Sequence, residues 1–371
     1  MLMTFFQVKL NKMKIAVGLS GGVDSSVVAA ILKEQGHDVV GVTMQLCNPS
    51  NPHHGKGCFC MSQLDEIESA RKVARKLGIE HHVLDCSREY SDVILNYFKS
   101  EYKIGNTPNP CVVCNAKFKF GLFPDMIEKK IGKFDKFATG HYAHVSCASN
   151  GMYVLNKARC KEKDQTYFLS RLAQGQLSKV MFPLGDFESK EEVRKLALEY
   201  GLDTATKKDS QDFYSGNKAE LVEDDETFDI VRGECVIGKV VDVDGNKIGH
   251  HSGYWKYTIG QRHGFFVKSS NEPMYVVKIL PNSNTLVVGT KEQSCVGSFK
   301  VKDMVWTMND PCMTIMVDVK IRSSGNNTYR CSLGMDGIVT CLDDKMFGVT
   351  TGQFAVFYSS DMVVGSGVIS T

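Results

Sequence analysis

Gly18-Leu19-Ser20-Gly21-Gly22-Val23-Asp24-Ser25-Ser26 is the stretch on which the reading of this chain turns. It lies between an apolar run at 13–17 and a helical pattern at 27–35, so it reads as a strand passing through a glycine-rich turn into a helix. Such a turn converges backbone N–H groups and a helix N-terminus on one point, which is a seat for phosphate. Asp24 and Ser25 fall in the first helical turn. The stretch lacks the lysine of the Walker pattern, which argues against an ordinary γ-phosphoryl P-loop. The plainer alternative is a glycine- and serine-rich turn closing any βα unit; the periodicity of both flanks weighs against it.

With 371 residues, 43% hydrophobic content and 23% charge, the chain has the composition of a soluble globular protein of two or three domains. A net charge of +2 leaves room for a basic face offset by acid elsewhere, so a nucleic-acid partner stays open. No apolar run reaches the roughly 18 residues of a membrane span, and no membrane partner is expected. Residues 1–12 have too short an apolar core for a secretory signal and read as an extension ahead of Met13. Thirteen cysteines scattered over this length do not form a secreted disulfide framework; they point to a reducing, cytoplasmic compartment and to thiols with chemical work.

The texture changes near residue 210. Before it, strand-like runs at 14–17, 38–44, 81–84 and 136–138 alternate with helical patterns at 27–35, 65–77, 92–100 and 118–130, which predicts a parallel sheet wrapped by helices. Ligands of such sheets lie at the carboxyl ends of the strands. The pattern at 164–200 is helical and closes at Gly201. Short Val-rich runs with Asp-Gly and Asn-rich turns follow, marking hairpins in two small β domains. The expected division is 1–208, the sheet-and-helix domain bearing the phosphate seat with a helical extension, then 209–293 and 294–371.

A second chemical feature is the run Asn106-Thr107-Pro108-Asn109-Pro110-Cys111-Val112-Val113-Cys114-Asn115, followed by Lys117-Phe118-Lys119-Phe120. The prolines fix the backbone ahead of the cysteines, and a cysteine near a helix N-terminus with lysine close by favours the thiolate that a sulfur nucleophile needs. The structural alternatives are a plain C-x-x-C or half of a zinc site, for which Cys58 and Cys60 would supply the second pair. Cys58 and Cys60 with His53 and His54 are a candidate metal loop, or simply exposed reduced thiols. Trp255 and Tyr257 are either RNA-stacking or core aromatics of a β domain.

The turn SGGVDS resembles the PP-loop of ATP pyrophosphatases, which cut ATP between the α and β phosphates. In order along the chain, SGGVDSSV, TPNPCVVCN with KFKFG, ATGHYA, KDQTYFL, KKDSQD, YTIGQRHG and TTGQFAVFYSSDMVVGSGVIS resemble the tRNA-specific 2-thiouridylases of the MnmA family, from about Lys14 to the C-terminus. The resemblance implies an α/β fold: a Rossmann-like domain of the adenine nucleotide α-hydrolase type, then two small β domains, the last a β-barrel. It implies that ATP with Mg²⁺ is used to adenylate the C2 oxygen of a wobble uridine, which sulfur then displaces. The partners it implies are tRNA and a sulfur donor, a cysteine desulfurase or relay protein.

Carried over residue by residue, Gly18 to Ser25 (with Leu19, Ser20, Gly21, Gly22, Val23 and Asp24) would cradle ATP, with Met44 and Gly140 beside it. Asp24 would stand by Mg²⁺. Asn109, Pro110 and Cys111 would line the everted base, with Cys114 the nucleophile; His141, Lys163, Asp164, Gln165, Arg322, Ser323 and Gln353 match tRNA-contacting positions. ATP, uridine and Cys114 would then share one cleft. Two positions depart from the family: Tyr214 stands where a second catalytic cysteine is expected, and Cys111 where many relatives have Asp. Tyrosine carries no sulfur. Either Cys111 takes over as resolving thiol, or Cys111 and Cys114 bind a [4Fe-4S] cluster with Cys160, Cys58 or Cys60 as third ligand. Two other functions remain: a different PP-loop ATP pyrophosphatase, amidating or ligating, and a non-catalytic metal- or RNA-binding protein.

Overall fold

A computed structural model of the chain describes residues 11–47, 59–207, 218–223, 237–268, 272–308, 311–325 and 327–370. The chain falls into two compact units, the first comprising Met1–Glu89, Lys117–Thr166 and Gln174–Asp212, the second Tyr90–Ala116, Tyr167–Ala173 and Phe213–Thr371.

The first unit is built on five parallel strands in the order β3-β2-β1-β4-β7: β1 (Lys14–Gly18), β2 (Asp38–Gln45), β3 (Glu80–Asp85), β4 (Lys136–Ala138) and β7 (Val180–Met181). Ile15, Ala16 and Val17 of β1 are fully buried, as the continuous apolar run of a central parallel strand requires. Helices α1 (Val23–Glu34) and α2 (Phe59–Leu77) pack on the sheet, with Val27, Val28, Ala29, Ala30 and Leu32 of α1 in its core. The order of connection reverses between β1 and β4, so the crevice at their carboxyl ends is the switch point where such sheets take ligands. A hairpin of β5 (His144–Cys147) and β6 (Tyr153–Asn156) follows. In place of continuous helix at 164–200 there are short turns, strand β7 and the helix Lys190–Glu199, which ends before Gly201 at φ +62°. The two-residue strand β7 is too short to register as alternation.

The second unit contains both β domains. Strands β8 (Gly238–Val241), β9 (Lys247–His251), β10 (Phe266–Val267), β11 (Tyr275–Leu280) and β12 (Thr285–Gly289) form a five-stranded sheet around Val240, Tyr254, Trp255 and Leu286. Trp255 and Tyr257 are buried, and Trp255 Nε1 donates to Glu223 Oε1 at 2.9 Å, so both are core aromatics. The pair β13 (Cys295–Val296) and β18 (Met346–Phe347) lies beside a larger sheet. There β14 (Ser298–Trp306), β17 (Ile338–Cys341), β16 (Tyr329–Leu333), β15 (Ile315–Lys320), β19 (Phe354–Ser359) and β20 (Met362–Ser370) run in that spatial order, and β20 pairs back with β14 to close a barrel. Closure removes the open edges that would template aggregation. No described helix is long and apolar enough to cross a membrane.

Candidate functional site

The turn after β1 is held from several sides. Leu19 N donates to Val42 O at 2.8 Å, and the Thr43 hydroxyl donates to Leu19 O at 2.6 Å. With that proton committed, the Thr43 oxygen accepts from His81 Nε2 at 2.8 Å. Burial, reinforced by Arg71 and His82, lowers His81 to about 4, so it is neutral at pH 7. Ser20 N donates to Ser25 Oγ at 3.1 Å, which ties the turn to the first turn of α1. Gly21 has φ +74°, and a Cβ there would stand 2.2 Å from Glu66 O, so glycine is required twice over. Gly22 caps α1 without a side chain, leaving the first N–H groups of the helix for a ligand.

The cavity in front of this turn has a volume of about 480 Å³ and belongs wholly to the first unit. Gly18, Leu19, Ser20, Gly22, Val23, Asp24 and Ser25 line it, with Met44 from the end of β2 and Gly140 from the loop after β4. Gly140 packs tightly: a Cβ would lie 2.7 Å from Asp24 Cβ and 2.9 Å from Ser25 N. His141, Lys163 and Gln165 line the same cavity. His141 Nδ1 hydrogen-bonds Thr139 Oγ1 at 2.7 Å, and burial, with Lys119 nearby, keeps its ring well below the usual histidine value. Gln165 Oε1 accepts from Tyr142 N at 3.0 Å. Asp164 turns inward, its carboxylate accepting from Ala158 N at 3.1 Å and from the Thr166 hydroxyl at 2.6 Å.

Two lysines that sequence reasoning missed bear on this turn. Lys190 Nζ lies 2.6 Å from Asp24 Oδ2, while the Tyr142 hydroxyl donates to Asp24 Oδ1 at 2.9 Å. Lys207 Nζ donates to Ser69 Oγ at 2.6 Å and to the Gly21 carbonyl at 3.2 Å. Lys207 opens the KKDSQD motif, which was the available signal; Lys190 sits in an ordinary charged helix and gave none. Among the described residues, two carboxylates line the cavity, Asp24 and Glu66, the latter pushed up by burial against the opposing pull of Lys207. Hard oxygen donors beside a phosphate seat fit Mg²⁺, which takes carboxylates together with phosphate oxygens.

The cysteine loop is organised within the second unit. Asn109 caps the turn Pro110–Val113, its side chain accepting from Val112 N at 3.3 Å, with Pro110 at the first helical position. Cys114 closes that turn and opens a π-helix, Cys114–Leu122, a form frequent at functional positions. Cys111 and Cys114, three apart on one helical turn, share a face; both are half-buried thiols. Buried Tyr90 neighbours both, and burial with those thiols pushes its phenol well up. Asn115, next to Cys114, donates to Phe168 O at 3.2 Å, while its buried Oδ1 accepts no hydrogen bond from the described residues.

Distant segments of the same unit hold the approach to the cysteines. Gln353 Nε2 donates to Thr107 O at 2.8 Å and Pro108 O at 3.2 Å, and Thr107 N donates to Thr351 O at 2.9 Å. Tyr97 is hydrogen-bonded to the Asn109 backbone. Arg322 donates to Ile259 O at 2.7 Å, Gly348 O at 3.1 Å and Thr350 Oγ1 at 3.0 Å, linking the central sheet to the barrel. Ser323, beside it, is half-exposed.

Cys160 is buried in the apolar core of the first unit. Among the described residues, no three His, Cys, Asp or Glu side chains gather as a metal-ligand set. Cys58, His53, His54 and Tyr214, and the side chain of Cys60, lie outside what the structure describes. Cys47 is disulfide-bonded, a departure from the expected reduced thiols.

A glycine turn feeding an open helix N-terminus, at the switch point of a parallel sheet, defines a nucleotide-binding α/β protein carrying two β domains. Comparison with known proteins narrows the class. Residues 13–214 match the tRNA methyl transferase HUP domain, 232–290 the tRNA methyl transferase PRC-barrel domain and 296–369 the aminomethyltransferase beta-barrel domain. The tRNA-specific 2-thiouridylase MnmA of Endomicrobium trichonymphae is 42% identical over 368 residues, covering 97% of this chain and 99% of that protein. That of Aquifex aeolicus is 36% identical over 370 residues, covering 96% and 99%. The chain belongs to the tRNA-specific 2-thiouridylase family. Among solved structures, the U34-tRNA thiolase NcsA from Methanococcus maripaludis with its [4Fe-4S] cluster covers 59% of this chain and 67% of its own at 21% identity; its TM-score of 0.34 is too low to carry an argument.

Proposed function

We propose that the protein is an ATP-dependent tRNA-uridine 2-sulfurtransferase acting on the wobble base. The observation that carries this reading is the pairing, in one chain of this family, of a phosphate seat without a Walker lysine and a loop presenting Cys111 and Cys114 on one helical face. A uridine C2 oxygen is a poor leaving group. Transfer of AMP to that oxygen, with pyrophosphate released, makes it one that sulfur can displace. The open N-terminus of α1 holds phosphate, and Gly140 allows the backbone to approach it closely. Asp24 and Glu66 are the carboxylates that would hold Mg²⁺, which would supply charge neutralisation at the phosphates.

Sulfur arrives on Cys114 as a persulfide from a donor protein, a desulfurase or a relay. Its terminal sulfur attacks C2 and AMP departs, leaving the base joined to Cys114 through an S–S bond. The Cys111 thiolate then attacks Cys114 Sγ, releasing the thiocarbonyl base and forming a Cys111–Cys114 disulfide. An external dithiol reduces that disulfide and resets the site. Helical i,i+3 neighbours stand about 5–6 Å apart at Cβ, close enough for this exchange after a small local adjustment. Asn109 and Pro110 shape the wall met by the base; His141, Lys163, Gln165, Arg322, Ser323 and Gln353 serve tRNA binding, directly or by holding the loops that touch it. The division at 209 and 294 and a cytoplasmic location belong to the same reading.

Incubation of the full chain with ATP, Mg²⁺, a persulfide donor and unmodified tRNA tests it. Pyrophosphate release that requires tRNA, with 2-thiouridine in the nucleoside digest, is expected. Release that requires an amino acid or ammonia in place of tRNA identifies a ligating or amidating synthetase instead, and tRNA binding without ATP cleavage identifies a non-catalytic RNA-binding protein.

A further inference from the structure

The helix Lys190–Glu199 contributes one side chain to the nucleotide cavity. Ser189 caps this helix by accepting from Glu192 N at 3.2 Å, which leaves Lys190 at its first position. The Lys190 side chain is 7% exposed, its ammonium 2.6 Å from Asp24 Oδ2 and 5.8 Å from the centroid of the Tyr142 ring. A lysine buried to this degree is costly to keep charged, and an apolar side chain of similar volume would pack as well. What an apolar residue could not do is meet an anion. The anion seat is adjacent: Asp24 is the second residue of α1, whose open N-terminus faces the same cavity.

Asp24 is 29% exposed and its carboxylate pairs with the ammonium. A triphosphate offers that ammonium a stronger acceptor, while freeing the carboxylate for a cation bridging the same phosphates. Which phosphates it meets follows from the chemistry. As the bond between the α and β phosphates breaks, negative charge builds on the departing pyrophosphate, and a fixed cation contributes most where charge is growing.

We infer that Lys190 is the pyrophosphate-binding residue of this site, gripping the β and γ phosphates of ATP and holding them as AMP is transferred. The inference rests on the reading of the cavity as an ATP site. It adds a named residue for the leaving group.

Calorimetric titration of the full chain with ATP, inorganic pyrophosphate and AMP, in the presence of Mg²⁺, tests it. For Lys190→Gln, ATP and pyrophosphate are expected to bind roughly tenfold to a hundredfold more weakly, the range set by one charge-assisted hydrogen bond, with AMP within twofold of wild type. Lys190→Arg, which keeps the charge, restores pyrophosphate binding to within about fivefold. Equal loss of AMP and ATP would make Lys190 a structural brace, and unchanged ATP binding would remove it from the site; either result overturns the inference. Wild-type chain that binds none of the three overturns the ATP reading beneath it. A crystal structure of wild-type chain with a non-hydrolysable ATP analogue gives an answer that needs no variant. Lys190 Nζ within hydrogen-bond distance of a β or γ oxygen is expected, and Nζ still on Asp24 with no phosphate contact refutes it.

Discussion

The walls of the nucleotide cavity come from the ends of parallel strands and the helix that follows β1, whereas the cysteine loop takes its shape from hydrogen bonds to residues some 245 positions away. In the first region, sheet register does the positioning: β1, β2 and β4 deliver Gly18, Met44 and Gly140 to one crevice because their carboxyl ends lie side by side. In the second, the barrel does it. Gln353 and Thr351 sit just before β19 and reach back to Thr107 and Pro108. On the function proposed above, nucleotide binding and sulfur chemistry rest on separate scaffolds, so substitutions should impair them one at a time.

The largest effect expected is from Gly21→Ala. Its positive φ and the 2.2 Å approach of a Cβ to Glu66 O together cost on the order of 2–6 kcal/mol. ATP affinity measured by calorimetry should fall by about a hundredfold or more, with a lowered melting temperature, while Cys114 keeps its reactivity toward a thiol reagent. Unimpaired ATP binding would show that the turn is not the phosphate seat. Gly352→Ala is the mirror test. At φ +85° its Cβ would stand 2.8 Å from Asn106 Cβ and 3.2 Å from Thr107 N and O, so the cysteine loop must shift. Thiouridine formation should drop roughly tenfold to a hundredfold with ATP affinity unchanged within twofold. If ATP affinity fell in step, the two scaffolds would not be separate.

A milder break is Gln353→Ala, which removes two donors to Thr107 O and Pro108 O. About 1–2 kcal/mol of loop ordering is lost, and thiolation should slow about tenfold with the KM for ATP unmoved. Gln353→Glu should behave like the alanine variant, because a carboxylate cannot donate to those carbonyls.

The smallest effect concerns acid stability of the first unit. His81 titrates at about 4 in the folded chain against 6.5 for an unperturbed histidine, so below pH 6.5 the unfolded chain binds more protons. Stability from this group is full above that value and is lost as pH falls through the window toward 4. Replacing His81 by Gln, which retains a donor for Thr43, should flatten the fall in melting temperature across that window. An unchanged slope would assign the acid sensitivity to other groups.

Much of this was legible in the sequence, and for a physical reason. The turn after β1 is a local object: glycine conformation, a strand and a helix start within a dozen residues, so its role is written in consecutive positions. The Asp244-Gly245-Asn246 turn and the run at 281–284 likewise announced β8–β9 and β11–β12. The pairing of Lys190 with Asp24 was not legible, since 166 positions separate the two and neither spacing nor composition joins them. Gln353 was marked by resemblance as a tRNA contact, but its hold on Thr107 and Pro108 appears only in three dimensions. The π-helix at Cys114 also escaped, because its hydrophobic pattern passes for ordinary helix.

The central claim is that activation and sulfur transfer are distinct steps on distinct scaffolds, with Cys114 belonging to the second. Cys114→Ser tests it most directly, mixed with ATP, Mg²⁺, tRNA and persulfide donor, with pyrophosphate and 2-thiouridine measured together. The account predicts tRNA-dependent release of about one pyrophosphate per active site, as adenylated tRNA accumulates, and no 2-thiouridine. Undiminished 2-thiouridine, or loss of pyrophosphate release along with it, would contradict the account.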